Sequence, residues 1–181
     1  MICGCGSMVE RDLPKVETGV RFSSPAQINK FVVNTFMANG EIGSFGVVAA
    51  AVIINDEGKV LLTQRGHDRE HHPGEWEILA GRLNQGEGFE EALSREAQEE
   101  LKIELSILAV LNTFHFFRGA EKTEHIGVTF LARHSGGAVV VDGVEEVAHA
   151  WLDFEEAIER VQDESIKGNL LRAQKYLENL R

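Results

Sequence analysis

Cysteine, proline and tyrosine are scarce in this chain of 181 residues, with two, three and one copies. Both cysteines, Cys3 and Cys5, stand near the start in the context CGCG. A Cys-x-Cys pair needs further ligands to hold a metal, and the chain offers no third cysteine, so neither a disulfide framework nor a thiolate zinc site is supported. The expected setting is a reducing cytoplasm. Long apolar runs are also missing: none approaches the roughly 20 residues that span a bilayer. Basic charge is in short supply too. Eighteen Lys and Arg stand against 29 Asp and Glu, a net charge of −11. That balance argues against a general affinity for nucleic acid or an anionic membrane. An acidic protein still binds polyphosphates when a divalent cation reverses the local charge. The remaining composition, 43% hydrophobic and 26% charged, suits one globular domain with a sizeable core.

Residues 1–40 mix Gly, Ser, Pro and charge with no sustained period, apart from the short apolar patch NKFVVNTFMANG. Charges interrupt any secretory apolar region. Residues 1–40 are therefore expected to form a disordered tail, and 41–181 the domain. Gly19–Ser23 can be encoded by a string containing GTTCGATTC, a type of sequence found in transfer-RNA T-arms. The hypothesis is an out-of-place translation through a tRNA gene, with the biological start at Met37. The encoding DNA tests it: without an overlapping tRNA gene the idea fails.

From Ser44 the pattern changes. FGVVAAAVIIN and KVLLTQR are apolar runs joined by Asn55-Asp56-Glu57-Gly58, which reads as a β-hairpin. GHDREHHPG is a polar loop, and EWEILAG a short strand leading into an acidic helix. Strands follow at IELSILAVLNTFHFF, HIGVTFLAR, GGAVVVDG and AHAWLDF. FEEAIERVQ reads as a helix with Phe154, Ala157, Ile158 and Val161 on one side. A C-terminal helix follows, with the stripe Ile166, Leu170, Leu171, Ala173, Leu177 and Leu180. Strands around a central helix, closed by helices, imply an α+β class and not a regular βαβ repeat.

The acidic helix lies in GRLNQGEGFEEALSREAQEELKI, residues 81–103. At 100° per residue, Phe89, Ala92, Leu93, Ala97 and Leu101 share one face, the stripe that meets a core. Glu96 and Glu100 project within that arc, and Glu99 sits at its edge. Ionised carboxylates on such a stripe are costly unless paired or bound to a cation. Arg95 alone does not neutralise three of them. Hard divalent cations such as Mg²⁺ take oxygen ligands of this kind. The spacing points to a metal site.

The same stretch resembles the signature of the Nudix hydrolases, G-x5-E-x7-R-E-U-x-E-E-x-G-U, with U a bulky apolar residue. Gly81 takes the first position, Glu87 the first glutamate, Arg95-Glu96 the RE pair, Glu99-Glu100 the EE pair and Ile103 the last apolar position. Ala97 is small for U, and Lys102 replaces the second glycine, which is expected to alter the turn there. The resemblance implies an α/β/α sandwich on a mixed sheet, with the motif as loop–helix–loop. It implies hydrolysis of a nucleoside diphosphate linked to another moiety, as in nucleotide sugars, ADP-ribose or nucleoside triphosphates, with Mg²⁺ or Mn²⁺. Many relatives form homodimers.

Carried over position by position, Glu96, Glu99 and Glu100 are expected metal ligands, with Glu96 also orienting or deprotonating the attacking water. Glu87 acts through the metal's water shell or holds the loop. Arg95 salt-bridges the glutamates, and Gly81 lets the backbone turn tightly beside a ligand. A further ligand is expected from a later loop, from Glu145 or Glu146, with Glu146 chosen. Trp76 either stacks on a base or packs as a core tryptophan. Arg65 and Arg82 are placed to meet phosphates. Where many relatives read Leu-Pro-Gly-Gly before the motif, this chain reads Ile78-Leu79-Ala80-Gly81, and Ala80 tilts the substrate toward nucleotide sugars and ADP-ribose. His67, His71 and His72 read as a polar loop and not as a zinc site. Phe114, Phe116 and Phe117 around His115 either line a base pocket or pack on the core. Two alternatives stand beside the hydrolase. One is a non-catalytic nucleotide sensor. The other is a prenyl-diphosphate isomerase, which normally needs a cysteine and extra histidine ligands.

Overall fold

The computed structural model describes residues 45–68, 72–120 and 122–180. The N-terminal 1–44 segment, with Cys3, Cys5 and Met37, and His71 lie outside the described residues.

Among the described residues, seven strands form one mixed sheet. Strand β1 (Phe45–Ile54) runs parallel to β6 (Thr123–Gly136) on one side. On its other side it meets β4 (Leu79–Arg82) and the start of β2 (Val60–Arg65), both antiparallel. Beyond β2 lie the two-residue β3 (Trp76–Glu77) and β7 (Glu146–Leu152); beyond β6 lies β5 (Glu104–Arg118), the far edge. The continuous apolar run of β1 is explained by burial on both faces. Its Ala49, Ala51 and Ile53 meet the acidic helix side, while Ala50, Val52 and Ile54 meet the C-terminal helices.

Helix α1 (Phe89–Glu96) covers one face through Ala92 and Leu93. Helices α2 (Phe154–Arg160) and α3 (Glu164–Glu178) cover the other through Phe154, Ala157, Leu170 and Ala173. The architecture is an α+β, α/β/α sandwich. Each fully buried Leu or Ile in these layers contributes about 1.5–3 kcal/mol.

Four readings of the sequence need correction. GGAVVVDG is no strand: Gly137 (φ +83°) approaches the Lys102 carbonyl so closely that a Cβ would clash, and this bend carries the chain out of the sheet. Val140 N–H then donates to Leu101 O at 2.9 Å, so the segment seals the end of the acidic helix. In α3, Leu171 and Leu180 are exposed, and the buried stripe is Ile166, Leu170, Ala173 and Leu177, the 4-3-4 spacing of one helical face. EWEILAG is two short strands, not one, because β3 pairs with β2 and β4 with β1.

The fourth correction concerns Lys102. Helix α1 widens into a single π-turn over Ala97–Leu101, and Lys102 ends it at φ 60°, ψ 28°. The turn that glycine makes in the motif is retained, at the strain cost of an L-residue in the left-handed region. Lys102 N–H bonds Ala97 O, and its Nζ donates to Glu99 O at 3.0 Å.

Two register features aim side chains at one place. Glu77 stands opposite Thr63, on the face of β2 turned toward α1. The β2–β7 pairing runs Thr63↔His149, Gln64↔Ala148, then Arg65↔Glu146, leaving Val147 as an extra residue. Simple alternation would set Val147 opposite Arg65. The bulge sets Glu146 there instead.

Lys102→Gly is expected to stabilise the protein by about 1 kcal/mol, because it relieves the left-handed strain and loses only one exposed hydrogen bond. Denaturant unfolding checks it: a higher midpoint with an unchanged slope is expected, and a lower midpoint would sink the argument.

Candidate active site

The site is built on the surface of α1 and its π-turn. Glu91 reaches back to the Gly88 N–H at 2.8 Å, which starts the helix, and Glu90 and Glu91 suit its N-terminal dipole. The wide turn after Glu96 carries Glu99 and Glu100, so the 100° spacing stops applying at Ala97. A π-turn of this kind commonly marks a functional site.

Arg95 ties the motif together. Its Nε and Nη2 donate to the two oxygens of Glu87 at 2.7 and 3.0 Å. Its Nη1 donates to Glu96 at 2.8 Å and Glu99 at 3.1 Å, and its Nη2 also donates to the Arg82 carbonyl at 2.8 Å. Glu87 further accepts from the Asn84 N–H at 2.8 Å. Hydrogen bonds from Arg95 and then from Asn84 hold its carboxyl down to about 2. Gly81, in β4, lies under Glu96: a Cβ there would fall on the Glu96 side chain.

A cleft of about 260 Å³ is lined by Glu96, Glu99, Glu100, Asp142, Glu145 and Glu146. All six are acids. Asp142 Oδ1 accepts from the N–H groups of Val144, Glu145 and Glu146 at 2.8, 2.8 and 3.2 Å, and so shapes the loop that delivers Glu146. Burial, followed by the charges of Glu96, Glu146, Glu77 and Glu145, pushes Glu100 up to about 8. Burial, followed by the Glu77 charge, pushes Glu146 up to about 7. Glu146 is 5% exposed, and its Oε2 has no hydrogen-bond partner.

This donor set fits a hard divalent cation. It is oxygen-only, over-charged, and contains a buried carboxylate oxygen with no protein donor. Among the described residues no three His, Cys, Asp or Glu side chains already stand together closely enough to hold a metal ion. An open cleft suits a cation that keeps water and takes substrate oxygens as further ligands.

The substrate-side residues are more dispersed. Arg65 donates to Glu77 at 2.6 Å, and both side chains are largely buried. With His72, Phe116, Phe117 and Arg118 they line a second hollow of about 310 Å³. Glu77 lies between the two: it lines this hollow, and its charge helps push up the carboxyl of Glu146, which lines the first. Trp76 is on the opposite face of the sheet, packed on the core with the Arg160 guanidinium 5.0 Å over its ring. Arg82 is exposed at the end of β4. Phe114 packs on the core, whereas Phe116 and Phe117 are exposed. His72 pairs with Glu75 at 2.9 Å and does not join His67. Glu77, Thr63 and Asp142 escaped sequence reasoning. The Asp-Gly pair at 142–143 was a usable turn signal; nothing local marks Glu77.

A family model for the NUDIX domain matches residues 44–174. The chain belongs to the Nudix family. Its Nudix stretch is 45% identical over 58 residues to the nucleoside triphosphatase NudI of Enterobacter sp. strain 638, covering 32% of this chain and 41% of that protein. It is 32% identical over 106 residues to an isopentenyl-diphosphate Delta-isomerase of Paenarthrobacter aurescens, covering 55% and 56%. The matches thus span about half the length of these curated relatives. Among solved structures, the Escherichia coli ORF135 protein superposes with a TM-score of 0.58 at 26% identity, over 77% of this chain and 94% of that one. The MutT protein of Methanosarcina mazei superposes with a TM-score of 0.61 at 19% identity, over 77% and 98%, a likeness of fold. No helix among the described residues is long and apolar enough to cross a membrane.

The raised carboxyls give the metal-free Nudix domain a characteristic pH response. A folded pKa near 8 against 4.5 unfolded means that Glu100 favours folding most below pH 4.5 and loses that contribution as pH rises through 8. In EDTA, stability is therefore expected to fall between about pH 5 and 8, less steeply in Glu100→Gln, and Mg²⁺ is expected to restore it. Denaturation midpoints across that range check this, and identical profiles for the two proteins would refute it.

Proposed function

We propose that this Nudix domain is a cytoplasmic Mg²⁺- or Mn²⁺-dependent pyrophosphohydrolase acting on a nucleoside diphosphate linked to another moiety. The observation that carries this reading is the cleft walled by six acids, held from one side by Arg95 and given room by Gly81. Glu96, Glu99, Glu100 and Glu146 would hold the cation. When bound, such a cation neutralises phosphate oxygens, acidifies a water and stabilises the leaving group.

The chain's own residues supply orientation and proton handling. Arg95 fixes Glu96 and Glu99 against rotation, so that their oxygens need no ordering when substrate arrives. Glu96, lying over Gly81 at the cleft wall, is placed to orient the attacking water and accept its proton. Glu87 acts from behind, as the anchor that holds the guanidinium. The second hollow, with two exposed phenylalanines and the Arg65 and Arg118 guanidiniums at its wall, is where the remainder of the substrate would rest. Stacking and cationic groups suit a base or a phosphate there. Ala80 favours nucleotide sugars and ADP-ribose within this class.

An isomerase reading asks for a cysteine and extra histidine ligands. The chain's cysteines, Cys3 and Cys5, lie outside the described residues, and no histidine among the described residues lines the acidic cleft. A sensor reading asks for loss of motif acids, and all are present.

A panel of ADP-ribose, nucleotide sugars, dinucleoside polyphosphates and oxidised nucleoside triphosphates, with isopentenyl diphosphate as the outlying member, tests the proposal. Metal-dependent release of phosphate or nucleotide is expected, with Glu99→Gln and Glu100→Gln each slower by 100-fold or more. Full activity in both variants would defeat it, as would tight nucleotide binding with no turnover. Gly81→Ala is expected to fold normally and lose about 100-fold in kcat, because the added methyl displaces Glu96 by about an ångström. A loss below threefold would mean that the Gly81–Glu96 packing is irrelevant.

A further inference from the structure

Gly46, His125 and Phe116 form a row across three neighbouring strands. His125 on β6 pairs with Gly46 on β1 and with Phe116 on β5, and residues directly opposite one another share a face of the sheet. Gly46 leaves a notch: a Cβ there would fall on the imidazole, so the ring lies over bare backbone and is only 4% exposed. Its Nδ1–H donates to the Thr123 carbonyl at 2.9 Å, which sets the tautomer and the plane of the ring. The Phe116 ring stacks on that plane, with centroids 4.9 Å apart and 19° between the rings. Phe114, two residues earlier and packed on the core, flanks Phe116 at 6.0 Å.

Phe116 is thus held by two rings, yet it is 38% exposed and lines the second hollow with Phe117, Arg65 and Arg118. Phe117 is held less firmly, because its neighbour His115 meets it edge-on at 81° and is itself exposed. An exposed ring kept in one orientation is prepared for stacking, since little of its freedom remains to be lost when a ligand arrives.

We propose that His125, seated in the Gly46 notch, is a positioning residue that fixes Phe116 as the stacking platform for the substrate's base in the second hollow. This rests on the reading of that hollow as the place for the remainder of the substrate, and it narrows that remainder to an aromatic base. Every base has a π-face, so the platform favours a nucleotide over a bare sugar phosphate without choosing sharply among bases.

The test is binding of AMP, GMP, CMP, UMP and ribose 5-phosphate to the full chain in Mg²⁺, followed by nuclear magnetic resonance of the ligand protons. None of these probes carries a pyrophosphate bond to be hydrolysed. The wild type is expected to bind at least one nucleotide about 5- to 150-fold more tightly than ribose 5-phosphate, with its base protons shifted upfield by the ring. Phe116→Ala and His125→Ala are each expected to remove most of that preference while leaving ribose 5-phosphate within threefold of wild type. Phe116→Tyr and His125→Phe keep the rings and are expected to stay within threefold for the nucleotide. Circular dichroism and melting establish that each variant folds. If His125→Ala does not, His125→Leu takes its place, filling the notch without a flat face. A preference that survives Phe116→Ala overturns the platform, and one that survives the His125 variant overturns the positioning role. Parallel loss of nucleotide and ribose 5-phosphate in the His125 variant also overturns it, because that is collapse of the hollow. No preference in the wild type overturns the base assignment, while turnover of the substrate panel would leave the hydrolase reading standing. A preference that behaves as expected with no turnover supports the platform and defeats the hydrolase reading.

Discussion

The acidic cleft depends on one guanidinium. Arg95 spends its donors on Glu87, Glu96, Glu99 and the Arg82 carbonyl, and so joins the loop before the helix, the helix and the end of β4 in one node. Glu87 is remote from the cleft wall but holds the guanidinium with both oxygens, and its carboxyl is correspondingly acidic. The division is physical. Glu87 is saturated with donors and stays ionised, whereas burial and then the charges of neighbouring acids push Glu100 and Glu146 toward protonation. A site that must accept a cation needs acids of the second kind, kept in place by acids of the first kind.

Much of this was legible in the sequence because helix periodicity and the motif report local relations. Ala92, Leu93, Ala97 and Leu101 are buried as an apolar stripe should be, and the double-faced burial of β1 follows from its unbroken apolar run. The resemblance to the Nudix signature added the order of strands around the helix, and the fold agrees with it. Where periodicity was stretched, it failed. Leu171 sits 100° from Leu170 and faces outward, and the π-turn breaks the 100° spacing just where the glutamates sit. The valines of GGAVVVDG look like a strand, but Gly137 turns them away to close the end of the acidic helix.

The parts that were not legible are those set by register between distant strands. No feature of the local sequence marks Val147 as a bulged residue, and shifting it by one position would turn Glu146 away from the cleft. Glu77 is equally silent, because its place in the structure comes from standing opposite Thr63 and beside Arg65, 14 and 12 positions earlier in sequence. Arg65 is a basic residue near a cleft, which reads as a phosphate contact. Its partner across the strands gives it another occupation.

These register relations separate two tasks in space. Glu96, Glu99, Glu100 and Glu146 of the acidic cleft sit on α1, its π-turn and the start of β7, with Arg95 and the bulge setting their places. The second hollow is walled largely by the far end of β5, where Phe116 and Phe117 are exposed at the sheet's edge. An edge strand exchanges its outward side chains without disturbing the central strands, and among the described residues only β6 pairs with β5. Glu77 and Arg65 both line the second hollow and act on Glu146 of the first. A change at Phe116 or Phe117 would therefore alter what is held beside the cleft while leaving its charge intact, and a change at Glu77 would alter both together.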